Sequence, residues 1–138
     1  PLFILQKKAL KICYNLPQYT PTITLYRTYK CLSVFQLYYI YVAIFMFKYH
    51  NQMLPCIFRN YFQTNHSTHS YSTRNSHLYK IPKFISKKTQ RSVTYFSVKF
   101  WNSLPSEIIN STSLPIFKSR IKKYISDHPG NLALSKIE

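Results

Sequence analysis

Residues 31–47 read CLSVFQLYYIYVAIFMF and contain no charged side chain. A helix formed by this stretch would be apolar or aromatic on every face, which is typical of either a central core helix or a membrane span. The 17-residue run would be about 25 Å long as a helix, whereas a span usually needs about 20 residues. Its tyrosines would also be poorly placed in mid-bilayer. The sequence therefore favours a buried central helix at about 33–50, with a membrane span as the weaker alternative.

Amphipathic patterns predict one helix on each side of this segment. Lysines lie off both apolar stripes, as expected for surface helices with one buried face. Pro17 ends the first helix, and Ser113 can cap the second. Two shorter helices are predicted at 25–30 and 56–62. The first stripe comprises Leu5, Ala9, Ile12 and Leu16, and the second comprises Leu114, Phe117, Ile121 and Ile125.

The middle of the chain has a less regular pattern. Ser, Thr, Asn and His dominate residues 64–76, which indicates a loop. Segments 78–81 and 92–96 are rich in β-branched and aromatic residues, which is consistent with a short β-hairpin within 77–97. A helical turn or two around Trp101 is then predicted to end at Pro105.

These elements predict a mainly α fold: a small helical domain packed around the central helix. We expect one domain over residues 1–128 and a frayed tail over 129–138. Because the chain opens on Pro1 and enters a helical pattern at once, we expect it to be a fragment of a longer protein.

The charge balance excludes several classes of enzyme. Nineteen Lys and Arg face three acids, which gives a net charge of +16. Glu107, Asp127 and Glu138 are too few for the metal site of a nuclease or polymerase, or for the carboxylate pair of a glycosidase. Gly130 is the one glycine, so a phosphate-binding glycine loop is excluded as well. We therefore predict no catalytic residue, no cofactor and no small-molecule substrate.

Histidines and cysteines give weak signals. His66 and His69, with His77 nearby, could share a metal ion only on an ordered turn with further ligands, and no cysteine pair accompanies them. We predict no metal site. The cysteines are odd in number and widely spaced, which argues against a disulfide framework and for a reducing intracellular compartment. We expect small core roles for Cys13, Cys31 and Cys56.

The basic surface is the remaining candidate for function, and residues 74–91 contain no acid. Cations that bind phosphate beside rings that stack on unpaired bases are the elements of salt-dependent single-strand binding. The predicted phosphate contacts here are Arg74, Lys80, Lys83, Lys87, Lys88 and Arg91, and the stacking candidates are Tyr71, Tyr79 and Phe84. The last helix carries a second basic set, Lys118, Arg120, Lys122 and Lys123. The alternative is a solvated surface whose charge serves solubility.

Short motifs in a fixed order resemble a known family. They are LQKKALKI at 5–12, FMFKYHN at 45–51 with LP at 54–55, HSYSTR at 69–74, WNSLP at 101–105, and SLPIFKSRIKKY at 113–124. The ordered series over residues 4–126 resembles the region after the polymerase in non-LTR, LINE-type (jockey-like) retrotransposon reverse transcriptases. The family commonly has a glycine before its Trp-Asn motif. This chain has none there, so Ser97 or Val98 would be strained if that position needs a positive φ.

The resemblance implies the C-terminal region of an RNA-directed DNA polymerase, with the polymerase and endonuclease upstream. It implies a nuclear or cytoplasmic location and no membrane partner. We expect this part to be noncatalytic and to contact template RNA or target DNA through its basic surface. The alternative is a purely structural scaffold that packs on the upstream reverse-transcriptase domain of the same polypeptide, with Tyr71, Arg74 and Trp101 as intramolecular anchors.

Overall fold

A computed structural model of the chain describes residues 2–21, 25–26, 28–67, 75–90 and 92–128. Of these residues 61% are helical, and none belongs to a β-strand, so the predicted mainly α fold is confirmed. The helices with defined bounds are α1 (Leu2–Cys13), α2 (Val34–His50), α3 (Lys87–Gln90), α4 (Val93–Asn102), α5 (Ser106–Ile109) and α6 (Leu114–Asp127). Short 3-10 turns lie at Cys56–Phe58 and Asn65–Ser67. The predicted tail, 129–138, lies outside the described residues.

Contacts group the chain into two compact units. One comprises the described parts of Pro1–Ile40 and Lys122–Glu138, and the other is Tyr41–Ile121. The boundaries therefore fall inside α2 and α6. The assignment of residues 1–128 to one domain stays a prediction.

The predicted central helix is confirmed as α2. It begins with a capping box: the backbone N–H of Ser33 donates to Gln36 Oε1 at 2.9 Å, and the N–H of Gln36 donates to Ser33 Oγ at 3.3 Å. This reciprocal pairing satisfies two amides that a helix start otherwise leaves without partners. Ala43, Met46 and Phe47 are fully buried on this helix. The helix is not buried on every face, because its tyrosines at 38 and 41 are exposed.

The unit 41–121 is built on an aromatic core. The Phe47 ring stacks on Phe117 with centroids 4.3 Å apart and an interplanar angle of 24°. Trp101 lies 6.0 Å from Phe117 on one side and 5.7 Å from the His50 ring on the other. Trp101 is therefore a buried residue of this core. On α6, three of the four predicted stripe residues are fully buried, namely Phe117, Ile121 and Ile125, whereas Leu114 is only partly buried.

The stripe predicted for α1 is wrong, although the helix itself is confirmed. Leu5 is 60% exposed and Ile12 is 79% exposed. The packed side instead carries Phe3, whose ring lies 5.2 Å from Phe35. Leu2 and Ile4 are exposed as well, so α1 has apolar residues on two sides and tertiary partners decide which side is buried.

The hydrogen bonds of Gln6 explain why the side of α1 that carries Phe3 is packed against the rest of its unit. Nε2 of Gln6 donates to the carbonyl of Leu32 at 2.9 Å. Its Oε1 accepts from the backbone N–H of Val34 at 2.9 Å and from the hydroxyl of Tyr26 at 3.0 Å. One amide side chain thus holds the first turn of α2 and a tyrosine at the same time. Turning the other face inward would leave these polar groups without this partner.

The β-hairpin suggested within 77–97 is wrong. Residues 93–96 form the first turn of α4, where Ser92 is the N-cap and its Oγ accepts from the N–H of Tyr95 at 3.4 Å. These β-branched and aromatic residues belong to a helix whose burial follows a helical period. Val98 and Trp101, three residues apart on one side of α4, are both buried. In the described ranges, β pairing is limited to one antiparallel bridge between Thr64 and Tyr79.

The strain expected at Ser97 or Val98 is also absent. Both residues lie inside α4 and are fully buried. Among the described non-glycine residues, positive φ angles occur at Asn15, Lys30 and Gln52. The family glycine is therefore not needed for a left-handed turn in this chain. A small side chain at 97 instead permits close packing of α4.

Left-handed residues end the two long helices of the first half. Asn15 (φ 49°) follows α1 and Gln52 (φ 56°) follows α2. The next amides close each end, with Leu16 N bonded to Lys11 O and Met53 N to Lys48 O, both at 2.8 Å. This pattern satisfies carbonyls that the helix end leaves open, and it usually places glycine at the left-handed position.

Replacing Gln52 by glycine is expected to raise the free energy of unfolding by about 0.5–1 kcal/mol. A residue with a Cβ pays a steric cost in this conformation that glycine does not, and part of that gain is offset by the greater freedom of glycine in the unfolded chain. Urea unfolding of Gln52→Gly measures the effect. Gln52→Ala keeps the Cβ and should bring no gain; equal stability of the two variants would contradict this reasoning.

Candidate nucleic-acid interface

The basic segment, residues 74–91, contains one buried tyrosine. Tyr79 is 8% exposed, and its hydroxyl lies 3.0 Å from Nδ1 of His50. The Asn102 side chain holds the backbone of Tyr79 from the other side: Nδ2 donates to its carbonyl at 2.7 Å, and Oδ1 accepts from its N–H at 3.2 Å. These contacts fix the point from which the basic segment leaves the core.

Tyr79 is therefore not a stacking residue, and that part of the sequence prediction is wrong. Its ring packs edge-on against Tyr49, with centroids 5.8 Å apart. Burial raises the pKa of Tyr79 to about 12 and lowers the pKa of His50. At neutral pH the pair is accordingly an uncharged hydrogen-bonded contact between the buried tyrosine and a histidine at the edge of the core. The sequence alone could not reveal this, because burial of Tyr79 depends on a helix 29 residues away.

After Tyr79 the chain runs without regular secondary structure from 80 to 86 and then enters α3. Four predicted phosphate contacts are described in this stretch, and all are exposed: Lys80, Lys83, Lys87 and Lys88. The other two predicted phosphate contacts, Arg74 and Arg91, and the stacking candidate Tyr71 lie outside the residues that the structure describes. The lysines that are described share one short segment, which we call the basic loop (residues 80–88).

The basic loop forms one wall of a groove. Phe84 and Tyr95 lie with ring centroids 6.1 Å apart at an interplanar angle of 50°. Nε2 of Gln90 donates to the carbonyl of Phe84 at 2.9 Å, which ties the loop to the end of α3. The groove has a volume of about 410 Å³ and is open to solvent. Its lining residues are Ile81, Pro82, Lys83, Phe84, Ile85, Gln90 and Tyr95.

Tyr95 is a member of this site that the sequence reasoning missed. The sequence pattern at 92–96 suggests a strand, and that assignment does not show which side of the element Tyr95 occupies. The usable signal was Ser92 directly before an apolar run, which is a helix N-cap pattern. With the helix begun there, Tyr95 and Lys99 are one turn apart. The ammonium of Lys99 indeed lies 5.9 Å from the centroid of the Tyr95 ring.

The second basic set lies on α6. Lys118, Lys122 and Lys123 are exposed. Arg120 differs from them, because its Nη1 donates to the carbonyl of Glu107 at 2.7 Å and to Ser111 Oγ at 3.4 Å. The Arg120 guanidinium therefore links α5 to α6 and has fewer donors left for a phosphate. The three exposed lysines are better placed than Arg120 to contact phosphates.

The histidines, cysteines and acids form no further site among the described residues. Among the described residues, no three His, Cys, Asp or Glu side chains lie close enough to hold a metal ion, and His69 lies outside those residues. Cys13 and Cys56 are exposed, so the prediction that the cysteines are core residues is wrong for both. Within the same ranges, every helix is too short or too polar to cross a bilayer.

Comparison with known proteins finds no match to this chain among protein-family models, curated proteins or solved structures. The resemblance to non-LTR reverse transcriptases therefore rests on the sequence motifs alone.

Proposed function

We propose that this chain is a noncatalytic, nucleic-acid-binding domain from the C-terminal region of a non-LTR retrotransposon RNA-directed DNA polymerase. In this role it holds template RNA or target DNA by contacts to the phosphate backbone. The observation that carries the proposal is the basic loop, four exposed lysines beside an aromatic groove and anchored at Tyr79.

The loop suits this role for electrostatic reasons. Residues 64–92 contain no acid, so phosphates that approach the lysines meet no nearby carboxylate of the same segment. Each phosphate neutralised by a lysine releases condensed counterions, which gives binding its entropy and its salt dependence. The net charge of +16 adds a long-range attraction that raises the association rate.

Removing charge from the basic loop is expected to weaken binding to single-stranded RNA. We expect the triple variant Lys83→Gln/Lys87→Gln/Lys88→Gln to lose roughly tenfold to 100-fold in affinity at low salt. Its slope of log K against log salt should fall in magnitude by roughly 2, at about 0.7 per lost phosphate contact. Fluorescence anisotropy of a labelled oligonucleotide over a salt series measures both quantities.

A charge-matched variant controls for net charge. Lys118→Gln/Lys122→Gln/Lys123→Gln removes the same number of exposed lysines from α6. Equal losses in the two triples would contradict a leading role for the basic loop, because they arise when binding follows net charge or uses both basic sets alike. Thermal unfolding of both variants should match that of the unmodified chain, because exposed lysines contribute little to stability.

The scaffold alternative is favoured by a different observation, the exposed apolar face of α1. Leu2, Ile4, Leu5 and Ile12 are all more than half exposed on one helix. Such a surface is typical of a protein contact, here with the upstream reverse-transcriptase domain. The same anisotropy experiment separates the two functions: a scaffold shows no salt-dependent affinity for RNA, and the lysine triples then change nothing.

A further inference from the structure

We infer that the groove between the basic loop and Tyr95 binds one unpaired base of the strand whose phosphates the lysines hold. This inference rests on the proposed function and makes it more specific. It assigns a ligand class, a single-stranded nucleotide, to a site that sequence reasoning identified only at Phe84. It also adds Tyr95 as a second base-contacting residue.

The shape of the groove fits a flat ring that remains attached to a chain. Its volume of about 410 Å³ lies in the range of small-ligand sites and its mouth is open. A base can therefore enter while its sugar and phosphates remain outside. The bond from Gln90 to the carbonyl of Phe84 holds the wall in place before any ligand arrives, which lowers the entropy lost on binding.

The lining gives the groove aromatic and apolar contacts with one cation at its edge. Phe84 and Tyr95 line the groove with tilted rings whose centroids lie 6.1 Å apart, and stacking on aromatic rings is open to every base. Ile81 and Pro82 complete the apolar wall, and Lys83 is the charged member of the lining among the residues that the structure describes. Lys87 and Lys88, the last residues of the basic loop, are exposed at the start of α3 and are available to the phosphates of the bound strand.

Ile85 supports the same occupant. It is 104% exposed at the tip of the loop, so it contributes no burial to the fold. Apolar side chains in this position can insert between neighbouring bases of a bound strand, where they become buried. An anionic partner with flat apolar faces fits both features of the loop, its charge and its exposed isoleucine.

Two other anionic partners are separate hypotheses. An anionic lipid surface would use Ile85 and the lysines but would leave the concave aromatic wall without a role. An acidic peptide would use the lysines but offers no flat ring to fill the groove. The nucleotide is the occupant that uses the lysines, the aromatic walls and the isoleucine together.

The experiment compares two oligonucleotides of equal length with the full 138-residue chain. One is oligouridylate carrying a single 2-aminopurine, and the other is an abasic oligonucleotide with the same phosphates. We expect the base-containing strand to bind about fivefold to 100-fold more tightly and the 2-aminopurine fluorescence to be quenched by stacking. Phe84→Leu should remove this preference and the quenching while leaving abasic affinity unchanged.

Controls keep the outcomes distinct. Tyr19→Leu removes an exposed aromatic residue elsewhere and should change nothing. If Phe84→Leu perturbs folding, the quenching and the base preference of the unmodified chain still decide the question. Equal affinity for both oligonucleotides without quenching overturns the groove inference and leaves the proposed function intact. Failure to bind either strand at low salt overturns both. Tighter binding to phosphatidylserine vesicles or polyglutamate than to the base-containing strand also overturns the inference.

Discussion

Replacing Phe117 by alanine is expected to lower the free energy of unfolding by about 3–5 kcal/mol. Phe117 is fully buried, and its ring is central to the aromatic core of the 41–121 unit. It stacks on Phe47 at 4.3 Å and lies 6.0 Å from Trp101. The change removes the buried area of the ring, leaves a cavity, and forfeits the aromatic contacts, which add about 0.5–1.5 kcal/mol for a pair.

The neighbouring residue on α6 provides the control. Ile116 is 43% exposed, so Ile116→Ala should cost less than about 1 kcal/mol. Urea unfolding of the two variants, followed by circular dichroism, gives both values. A small domain has about 5–15 kcal/mol of stability in total, so Phe117→Ala should bring it close to the limit of folding. Similar losses in the two variants would contradict the placement of Phe117 in the core.

Some elements of the fold could be predicted because their signal is local. The α6 stripe is right since a cap residue, a first-turn proline and apolar residues at helical spacing agree over 14 residues. The α2 prediction is right because the uncharged run has the length of a core helix and is shorter than a membrane span usually needs.

Other predictions failed where distant partners decide. The buried face of α1 is set by Gln6, whose partners Leu32 and Val34 lie 26 and 28 residues away. The helix at 93–96 contains Val, Thr, Tyr and Phe, whose intrinsic preference is for strands. Tertiary burial of Val98 and Trp101 outweighs that preference. The exposure of the lysines was predictable from their charge, whereas the groove beside them depends on where Tyr95 lies.

The motifs that carry the family resemblance have structural explanations in the described residues. Gln6 joins α1 to the start of α2, and His50 contacts Tyr79. Asn102 clamps the backbone of that same tyrosine. The basic loop lies outside every quoted motif. The family resemblance and the proposed role of the basic loop thus rest on different residues, so the variants of the basic loop test the second without assuming the first.

Replacing Asn102 by aspartate is expected to cost about 2–4 kcal/mol at neutral pH. The side chain keeps its size and its acceptor, but it loses the Nδ2 donor that bonds the carbonyl of Tyr79 at 2.7 Å. That carbonyl is left without its partner beside a buried ring, and a carboxylate now faces it. An unsatisfied buried polar group costs about 1–3 kcal/mol, and the repulsion between the carboxylate and the carbonyl adds to that cost.

The loss should depend on pH with a definite sign. A carboxyl beside a carbonyl favours its protonated form, so the folded-state pKa of the introduced group is raised above its unfolded value of about 3.9. The unfolded state therefore releases its proton first as pH rises, and stability falls through this window. The deficit relative to the unmodified chain should be smallest below about pH 4, where the protonated group can still donate to the Tyr79 carbonyl.

Urea unfolding at several pH values, with Asn60→Asp as the control, tests this expectation. Asn60 is exposed, so the same change there introduces a charge without breaking a buried clamp. A deficit in Asn102→Asp that equals that of the control, or that does not shrink on acidification, would show that the clamp contributes little. A pH-dependent deficit confined to Asn102→Asp would establish that the asparagine of the WNSLP motif serves the fold by fixing the start of the basic loop.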